Sequence, residues 1–454
     1  MKTTGYSLNL IVLLVAIMLP AIPAKAQLKL INLGALGGDP TSAATAINDQ
    51  GEIVGESTGA DGVPHAFYYR NGLLRSLDSK PSRAVAINEA GQIAGSRLTY
   101  STVIFTNIIL PPTPITNIFP HPITNISIYP INPIIFTNVP IQIPTNIIVA
   151  NPLTNILIEP ASLTVNAERV AFPTNGQIVT NLVIDSQPVL FRPGLPANLF
   201  EGVNNAGYAS GINNQGEIVG GVTLFNSITQ NAFVYKNGLT MDLPGLSGDY
   251  LPAAAMAINN HGDIVGFGGV SPEHPFFYRH GLMQDLGTLG GTMGEANAIN
   301  DLGEIVGSST TTSNAEMHAF LYRQGRMIDL GGLPDAQYST STNPNAFYPP
   351  KLISSASAIN NWGQIVGSAT AANGASHAFL YHDGMMIDLN KWVRPAHVNG
   401  PPGFLTLTAA NGINDCGQIV GAGTYWDGRH EVVRAFLMNL PRELLSGMGH
   451  LPPP

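Results

Sequence analysis

The sequence is poor in cysteine and in charged residues. Its 454 residues include one cysteine, Cys416, so the chain cannot form an internal disulfide, and Asp, Glu, Lys and Arg together make up only 11%. The formal net charge of −9 argues against nucleic acid as a partner. Glycine (49) and proline (35) are abundant instead. This composition indicates a turn-dense, tightly packed β protein and excludes a disordered polyelectrolyte.

Long apolar runs and helical periodicity are also scarce. No window repeats apolar residues at the 3.6-residue spacing of an amphipathic helix. The long apolar run Leu8–Ile22 lies between Lys2 and Ala24-Lys25-Ala26, which is the pattern of a secretory signal peptide with a small-x-small cleavage site. We therefore expect residues 1–26 to be a signal peptide and the protein to be secreted, either extracellular or periplasmic. We expect no integral membrane segment in the mature chain.

One phrase recurs along most of the chain. Ala46–Gly55 reads AINDQGEIVG, and its isoleucine returns 40 residues later at Ile87. A period near 40 residues restricts the architecture to solenoids, propellers or helical arrays. The other copies lie at 212–220, 258–266, 299–307, 359–367 and 413–421, with a degenerate copy at 170–179.

Each repeat carries the pattern of four short strands. In the first copy, Ala44–Asn48 and Glu52–Ser57 flank a turn with glycine. His65–Arg70 and Leu73–Leu77 then flank Asn71-Gly72, the strongest short-range signal for a hairpin. Four antiparallel strands at this period are typical of a propeller blade, which buries its faces against its neighbours. We predict an all-β fold, a β-propeller of four-stranded antiparallel blades.

The two ends of the repeat region divide one unit between them. The last copy ends after its third strand, Arg434–Met438, whereas Leu28–Gly38 copies the fourth-strand phrase of Gly281–Gly291. A closed ring explains this division, because an N-terminal strand that joins the last blade leaves no free edge. We expect the propeller to span residues 27–440. The spacing of the degenerate copy favours eight blades; the count is seven if that copy is not a blade.

A segment of different composition interrupts the second repeat. No Lys, Arg, Asp or Glu occurs from Leu98 to Ile158, and Thr-Asn-Ile/Val recurs there among frequent prolines. Proline withholds the backbone donors that a sheet requires. We interpret residues 107–161 as a low-complexity insertion within the propeller, and Thr102–Thr106 as a candidate third strand before it. Residues 441–454 are expected to be a disordered tail.

Candidate catalytic and metal-binding residues are few. Histidine recurs at the start of the third strand, at His65, His274, His318 and His377, but positions spread around a ring are too far apart to share a metal. Gly55–Gly59 fits the G-x-S-x-G pattern, yet a nucleophile elbow needs a helix after the strand. We predict no catalytic residue, no metal and no cofactor. Enzymatic activity stays open, with a non-enzyme favoured.

Two long loops are the candidates for a binding face. Gly331–Ser355 and Asn390–Thr408 connect blades, and both are expected on the same rim of the ring. They combine aromatic and polar side chains, which suits a sugar or a protein surface. The alternative is that these loops only cover the rim. The candidate ligand-binding residues are Asp335, Tyr338, Phe347, Tyr348, Trp392, Arg394, His397 and Phe404.

The repeat phrases together resemble a known family. AINxxGxIVG, HAFLY and DLGxLGG are similar to the HAF family of probable extracellular repeat proteins of bacteria, over nearly all of the mature chain outside the insertion. The resemblance implies a secreted protein with no established activity. We expect a monomeric extracellular module that binds a carbohydrate or a protein, or serves as a scaffold. The alternative is a propeller-based hydrolase or lyase acting on extracellular polysaccharide, which requires carboxylates or histidines clustered on one face.

Overall fold

The computed structural model shows a β-propeller. It describes residues 29–105, 179–191, 197–199, 206–223, 230–246, 253–269, 273–312, 316–336 and 353–441. These residues form seven four-stranded antiparallel sheets. The prediction of an all-β propeller with four-stranded antiparallel blades is therefore confirmed. The expected signal peptide (1–26), the insertion (107–161) and residues 442–454 of the expected tail lie outside the described residues.

Six blades use strands that follow one another in the chain. Blade one consists of β2 (Thr41–Ile47), β3 (Ile53–Thr58), β4 (Pro64–Arg70) and β5 (Leu73–Ser76). Blade two consists of β6 (Ser82–Ile87), β7 (Ile93–Phe105), β8 (Val179–Phe191) and β9 (Ala197–Asn198). Blade three consists of β10 (Ala206–Ile212), β11 (Ile218–Thr223), β12 (Gln230–Lys236) and β13 (Leu239–Asp242). Blade four consists of β14 (Ala253–Ile258), β15 (Ile264–Gly268), β16 (His274–Arg279) and β17 (Leu282–Asp285). Blade five consists of β18 (Gly290–Ile299), β19 (Ile305–Thr311), β20 (Met317–Arg323) and β21 (Arg326–Gly331). Blade six consists of β22 (Ser354–Ile359), β23 (Ile365–Thr370), β24 (Ser376–His382) and β25 (Met385–Asp388).

Blade seven combines strands that are far apart in sequence. Its first three strands are β26 (Gly403–Ile413), β27 (Gln418–Trp426) and β28 (Glu431–Asn439), and its fourth is β1 (Leu30–Gly34). β1 pairs antiparallel with β28, so that Leu30 is opposite Met438. Blade seven therefore contains both the first and the last strands of the propeller, and its outer strand is the N-terminal strand β1.

β8 begins where the degenerate copy at 170–179 ends, and it does not start a blade of its own. β8 is the third strand of blade two, because it pairs with β7 in an unbroken register from Ile93 opposite Phe191 to Phe105 opposite Val179. The eight-blade option is therefore wrong for the described residues, which form seven sheets. Thr102–Thr106 is not a separate third strand either, because residues up to Phe105 continue the second strand.

A glycine and a phenylalanine shape the middle of each blade. In blade one, Gly55 of β3 pairs with Phe67 of β4, which is fully buried. A Cβ on Gly55 would lie 2.1 Å from the carbonyl oxygen of Ala43, so no larger residue fits between the first two strands. The same glycine recurs in every blade, where an added Cβ would lie 1.9 to 2.1 Å from a first-strand carbonyl: Gly55, Gly95, Gly220, Gly266, Gly307, Gly367 and Gly421.

The hydrophobic core lies between blades rather than within one layer. Seven apolar clusters form among the described residues, and each joins one blade to the next. The cluster between blades seven and one packs Leu33, Val420 and Leu437 against Ile47 and Phe67. Burying one such side chain contributes about 1.5–3 kcal/mol. Because a blade cannot cover its own faces, these clusters between blades make the ring a cooperative unit.

The antiparallel order gives the propeller two different ends. Tight turns between first and second strands and between third and fourth strands lie at one end, which we call the turn rim. Connections between second and third strands and between successive blades lie at the other end, the loop rim. No helix in the described part of the chain has the length and apolar character needed to cross a membrane.

Candidate functional site

A closed circle of asparagine side chains joins the blades at the turn rim. Each asparagine donates a hydrogen bond from Nδ2 to the backbone carbonyl oxygen of the equivalent asparagine in the next blade, at 2.9 to 3.1 Å. The circle ends where it began, since Asn414 of blade seven donates to Asn48 of blade one. We call these residues the asparagine ring: Asn48, Asn88, Asn213, Asn259, Asn300, Asn360 and Asn414.

Each ring asparagine also closes its own turn. In blade one, Asn48 Nδ2 donates to Glu52 Oε2 at 2.8 Å, and Asn48 Oδ1 accepts the backbone N–H of Glu52 at 2.9 Å. Gly51, between them, has a φ of +74°, a conformation that glycine adopts without strain. The repeated Ile-Asn-x-x-Gly phrase is therefore a structural device. It satisfies buried polar groups while linking neighbouring blades.

Buried carboxylates in the turns of blades one and four are paired with an arginine of the same blade. The buried Glu52 pairs with Arg70 at 2.9 Å, and the buried Asp263 pairs with Arg279 at 2.6 Å. Burial alone would raise the pKa of Asp263, but hydrogen bonds from Arg279 and Asn259 hold it below its ordinary value. In blade seven the position of Glu52 is taken by the neutral Gln418, which bonds Asn439 instead of a base. In blades one and four a buried carboxylate is paired with an arginine, and in blade seven both partners are neutral side chains.

A second circle lies one residue beyond the asparagine ring. Here the backbone N–H of each residue is accepted by the side chain of its counterpart in the next blade, and Asp415 N–H donates to Asp49 Oδ1 at 2.8 Å to close the circle. Three adjacent members are acidic: Asp415, Asp49 and Glu89. Burial, followed by the charge of Asp415, raises the pKa of Asp49, and burial also raises that of Glu89. The members are Asp49, Glu89, Asn214, Asn260, Asp301, Asn361 and Asp415.

The central channel is narrow and its described lining is uncharged. A cavity of about 260 Å³ is bounded by the first strands of all seven blades. Two of its polar side chains bond to the first strand of the next blade: Thr45 donates to the Ala84 carbonyl at 2.8 Å, and Asn411 donates to the Ala44 carbonyl at 2.8 Å. The enzyme alternative would gain support from facing carboxylates in this channel, and the residues that line the cavity include none.

A polar cleft opens on the loop rim between blades five and six. We call it the loop-rim cleft; its volume is about 250 Å³. It gathers the end of blade five, the loop between the second and third strands of blade six, and the start of the connection to blade seven. The cleft is lined by Leu333, Asp335, Ala336, Ala371, Ala372, Asn373, His377, Asp388 and Lys391.

Two charged or polar pairs define the chemistry of the cleft. Asp335 and Lys391 form an ion pair whose side chains are 67% and 53% exposed, so water competes for both groups. His377 Nδ1 lies 2.7 Å from Asp388 Oδ2, and Asp388 Oδ1 accepts the backbone N–H of Asn390. An acceptor-only carboxylate beside Nδ1 orients the imidazole with Nδ1–H towards it. His377 Nε2 has no hydrogen-bond partner among the described residues, so it can accept from a ligand.

The histidine–aspartate pair recurs in neighbouring blades. His274 pairs with Asp285 at 2.9 Å, and His318 pairs with Asp329 at 2.9 Å. The histidine begins HPF in blade four and HAF in blade five, and the aspartate begins DLG eleven residues later in both blades. This fixed spacing is the signal that could have identified the aspartate partners from sequence. The recurrence supports a structural role for the third-strand histidines.

The expected ligand-binding residues lie in several places. Asp335 lines the loop-rim cleft. Trp392 packs partly buried against the core between blades six and seven, whereas Arg394 and His397 are exposed. Phe404 is only 6% exposed and its ring meets Tyr425 edge to face at 5.0 Å, so it is a core residue. Outside the described residues are Tyr338, Phe347 and Tyr348.

No protein-family model matches this chain, and no curated protein sequence matches it either. Solved structures that are similar include TolB from Acinetobacter baumannii, at 12% identity and a TM-score of 0.33 over 56% of this chain. The chain spans 60% of the length of that TolB structure. The β-propeller domain of the Trilobed protease from Pyrococcus furiosus matches at 9% identity and a TM-score of 0.35, over 77% of this chain and 96% of that domain.

A Mycobacterium tuberculosis puromycin-hydrolyzing peptidase is a third similar structure. It matches at 9% identity and a TM-score of 0.33, over 88% of this chain and 59% of the peptidase. Such identities say nothing about substrate or ligand, because propellers host many unrelated functions. Function has to be argued from the described site.

Proposed function

We propose that this protein is a secreted β-propeller that binds an extracellular carbohydrate or protein through its loop rim, and that it belongs to the HAF-type extracellular repeat proteins its phrases resemble. The observation that carries the proposal is the loop-rim cleft. It brings an exposed cation, an exposed carboxylate and a histidine acceptor together over an apolar floor of Leu333 and Ala371. Such mixed donors and acceptors match hydroxyl-rich or peptide ligands.

The difference between the two rims supports the proposal that the loop rim is the binding face. At the turn rim, the buried ring asparagines and the carboxylates of the second circle are engaged in bonds between blades. At the loop rim, Asp335 and Lys391 are held only by each other among the described residues and remain more than half exposed. Functional residues are found disproportionately on loops that a rigid scaffold positions. Export is supported by the sequence pattern of residues 1–26.

The test compares binding by the wild type and by Asp335→Ala/Lys391→Ala. Both are screened against neutral oligosaccharides, uronate-containing oligosaccharides and unstructured peptides, and hits are measured by calorimetry. We expect binding to one class, weakened at least about tenfold by the double substitution because two direct contacts are lost. The matched control is Glu56→Ala/Arg83→Ala, which removes a partly exposed ion pair between blades one and two. Equal loss in both variants, or no binding by the wild type, would contradict the proposal.

One observation favours a second candidate, a hydrolase or lyase acting on extracellular polysaccharide. His377 lines the cleft and is oriented by Asp388, the arrangement of a general base. The wild type would then release reducing ends or unsaturated products from polysaccharide, and His377→Gln would abolish the release. His274→Gln removes an equivalent pair in blade four and is the control. Absence of product release by the wild type would reject this candidate.

A further inference from the structure

One partly buried arginine has no carboxylate partner among the described residues. Of the described lysines and arginines, Arg97 and Arg434 are partly buried and the others are exposed. Arg97 donates two hydrogen bonds to Asp78, at 2.7 and 2.9 Å. Arg434 bonds only to backbone carbonyl oxygens. Removing a charge from water without a counter-charge is costly, so this arginine needs an explanation.

Arg434 lies at the loop rim, where blade seven meets blade one. It is the fourth residue of β28, and third strands begin at the loop rim. Its Nη1 donates to the carbonyl oxygen of Pro40, which precedes β2, and to that of Val433 at 3.1 Å. Nε and Nη2 have no acceptor among the described residues. Two neighbouring nitrogens of a guanidinium can bind both oxygens of a carboxylate at once.

The repeat shows which partner is missing. Arg434 precedes a buried phenylalanine by two residues, as His377 does in blade six. In blades four to six, a histidine at this position pairs with an aspartate of the fourth strand. Asp388 lies opposite the phenylalanine of blade six, whereas Asn32 lies opposite that of blade seven. Blade seven therefore has a permanent cation at this position, and the acid is replaced by an amide.

Asn32 keeps one of the two roles of the aspartate. Its Oδ1 accepts the Gly34 N–H at 2.9 Å, as Asp329 Oδ1 accepts the Gly331 N–H at 2.7 Å. This bond shapes the turn after the fourth strand and needs no charge. The second role, a counter-charge for the third-strand cation, is left to another group.

No other described acid fills that role. Burial lowers the pKa of Arg434, and the charge of Asp427 opposes this shift without cancelling it. Asp427 is exposed, and its Oδ1 accepts the backbone N–H groups of Arg429 and His430, both at 2.7 Å. The guanidinium thus lies in a part-dehydrated position that favours an incoming anion.

Tyr425 provides an aromatic ring and a hydroxyl beside this cation. Tyr425 is opposite Val432, and Gly423 is opposite Arg434, so the tyrosine and the arginine are diagonal neighbours on one face of the sheet. The glycine opposite Arg434 has no side chain to cover the guanidinium. The Tyr425 ring is held edge to face against Phe404 at 5.0 Å, and its hydroxyl has no hydrogen-bond partner among the described residues.

We propose that Arg434 and Tyr425 form a binding site for a uronate unit of an extracellular polysaccharide. This inference rests on the proposed binding of a ligand at the loop rim and names its chemical class. The guanidinium binds the sugar carboxylate through Nε and Nη2, and the Tyr425 hydroxyl bonds to a hydroxyl of the sugar ring. One cation beside one ring matches a single sugar unit, whereas a stable protein interface needs roughly 800 Å² per partner.

The test compares an oligogalacturonate with the same oligosaccharide after reduction of its carboxyl groups. Calorimetry with the whole mature protein should show binding of the acidic form at least about tenfold tighter than the reduced form. Asn32→Asp restores the aspartate of blades four to six, which pairs with Arg434 and competes with the ligand. This variant should lose the preference for the acidic form, bind the reduced form like the wild type and melt no earlier than the wild type.

Two further variants separate the guanidinium from charge in general. Arg434→Lys keeps the charge but not the pair of parallel donors, so its preference for the acidic form should fall between those of the wild type and Arg434→Met. The matched control is Arg75→Met, which removes an exposed arginine from the fourth strand of blade one. It should bind like the wild type. An equal loss of preference in Arg75→Met would reveal an effect of net charge and would overturn the inference.

The remaining outcomes distinguish this inference from the proposed function. Equal binding of the two oligosaccharides, with loss in Asp335→Ala/Lys391→Ala, would overturn the uronate site and leave the loop rim as the binding face. A preference for the acidic form that persists in Asn32→Asp would also overturn the site. An acidic peptide that binds more tightly than the oligogalacturonate and is lost in Asn32→Asp would contradict the sugar assignment. If the wild type binds neither oligosaccharide, the inference fails.

Discussion

The two rims of the propeller are built from the same repeat, yet they differ in uniformity. At the turn rim, seven asparagines make the same bond from blade to blade. At the loop rim, each connection has its own length and residues, and one of them opens into the loop-rim cleft. The comparison indicates that repetition at one end fixes the ring, which leaves the other end free to vary. Substitutions should therefore have their largest effects on stability at the turn rim and their largest effects on binding at the loop rim.

The largest expected effect is on the asparagine ring. Asn414→Ala removes bonds to the Asn48 carbonyl, the Gln418 amide group and the Gln418 N–H, all at 2.8 to 2.9 Å, and leaves buried polar groups unpaired. We expect a loss of about 3 kcal/mol or more in the free energy of unfolding, measured by urea denaturation. The control is Asn373→Ala, an exposed loop-rim asparagine that accepts one local backbone bond. A similar loss of unfolding free energy in the two variants would contradict the proposed difference between the rims.

Next in size is the effect of removing Arg70, the exposed partner of the buried Glu52 in blade one. Arg70→Met leaves Glu52, whose side chain is 4% exposed, without its base. Because Arg70 is itself 53% exposed, we expect a loss of only about 1–2 kcal/mol in unfolding free energy. Glu52→Gln/Arg70→Met should regain most of this loss, because blades six and seven already use Gln364 and Gln418 at this position. If the double variant is less stable than Arg70→Met, the charge of Glu52 is needed for another reason.

A pH-dependent contribution is expected at the loop-rim end of blade five. The hydrogen bond with Asp329, and then the charges of Asp329 and Glu316, raise the pKa of His318 above its ordinary value of 6.5. The imidazolium is therefore favoured in the folded state, and its stabilisation is complete below pH 6.5 and is lost as the pH rises through the raised pKa.

Thermal unfolding of the wild type and of His318→Gln at successive pH values measures the stabilisation that the His318 imidazolium contributes. The stability difference should shrink as the pH rises above neutrality. The control is His65→Gln, at a position whose counterpart eleven residues later is Ser76 rather than an aspartate. A stability difference for His318→Gln that does not change with pH would contradict the assignment.

The smallest expected effect is a gain in stability. Asp49→Asn keeps an oxygen acceptor for the Asp415 N–H and removes one of three adjacent carboxylates. The raised pKa of Asp49 means that its ionisation disfavours the folded state, so the penalty develops as the pH rises above the unfolded value near 3.8. We expect about 0.5 kcal/mol of stabilisation at pH 7 and none near pH 3, measured by denaturant unfolding. Destabilisation at pH 7 would show that the carboxylate has a structural role.

The fold class could be predicted from sequence because its signals are local. The turn at Asn71-Gly72 and the 40-residue step from Ile47 to Ile87 need no knowledge of distant contacts. The number of blades could not be predicted in the same way. The degenerate copy lies one period before Ile212, but whether β8 starts a sheet or completes one depends on its pairing with β7, across an insertion. Spacing along the chain carries no information about that pairing.

The site was predicted only in part, for a related reason. The pattern predicts a turn with glycine after Asn48, which is correct within a blade, but the second Nδ2–H of the asparagine bonds to the next blade, a contact that no local pattern reveals. Asp335 was identified, whereas its partners His377, Asp388 and Lys391 come from other elements. Phe404 shows the opposite error. An aromatic residue in a loop suggested a binding surface, but the side chain is buried within blade seven.

Hydrogen–deuterium exchange with and without a bound ligand tests the division between the rims most directly. The ligand is the best oligosaccharide or peptide from the binding screen, at saturating concentration. We predict added protection at Ala371–Asn373 and at Asp388 and Lys391, which line the loop-rim cleft, and no change at Asn48–Glu52 of the turn rim. Protection confined to the turn rim, with the cleft unchanged, would contradict this prediction.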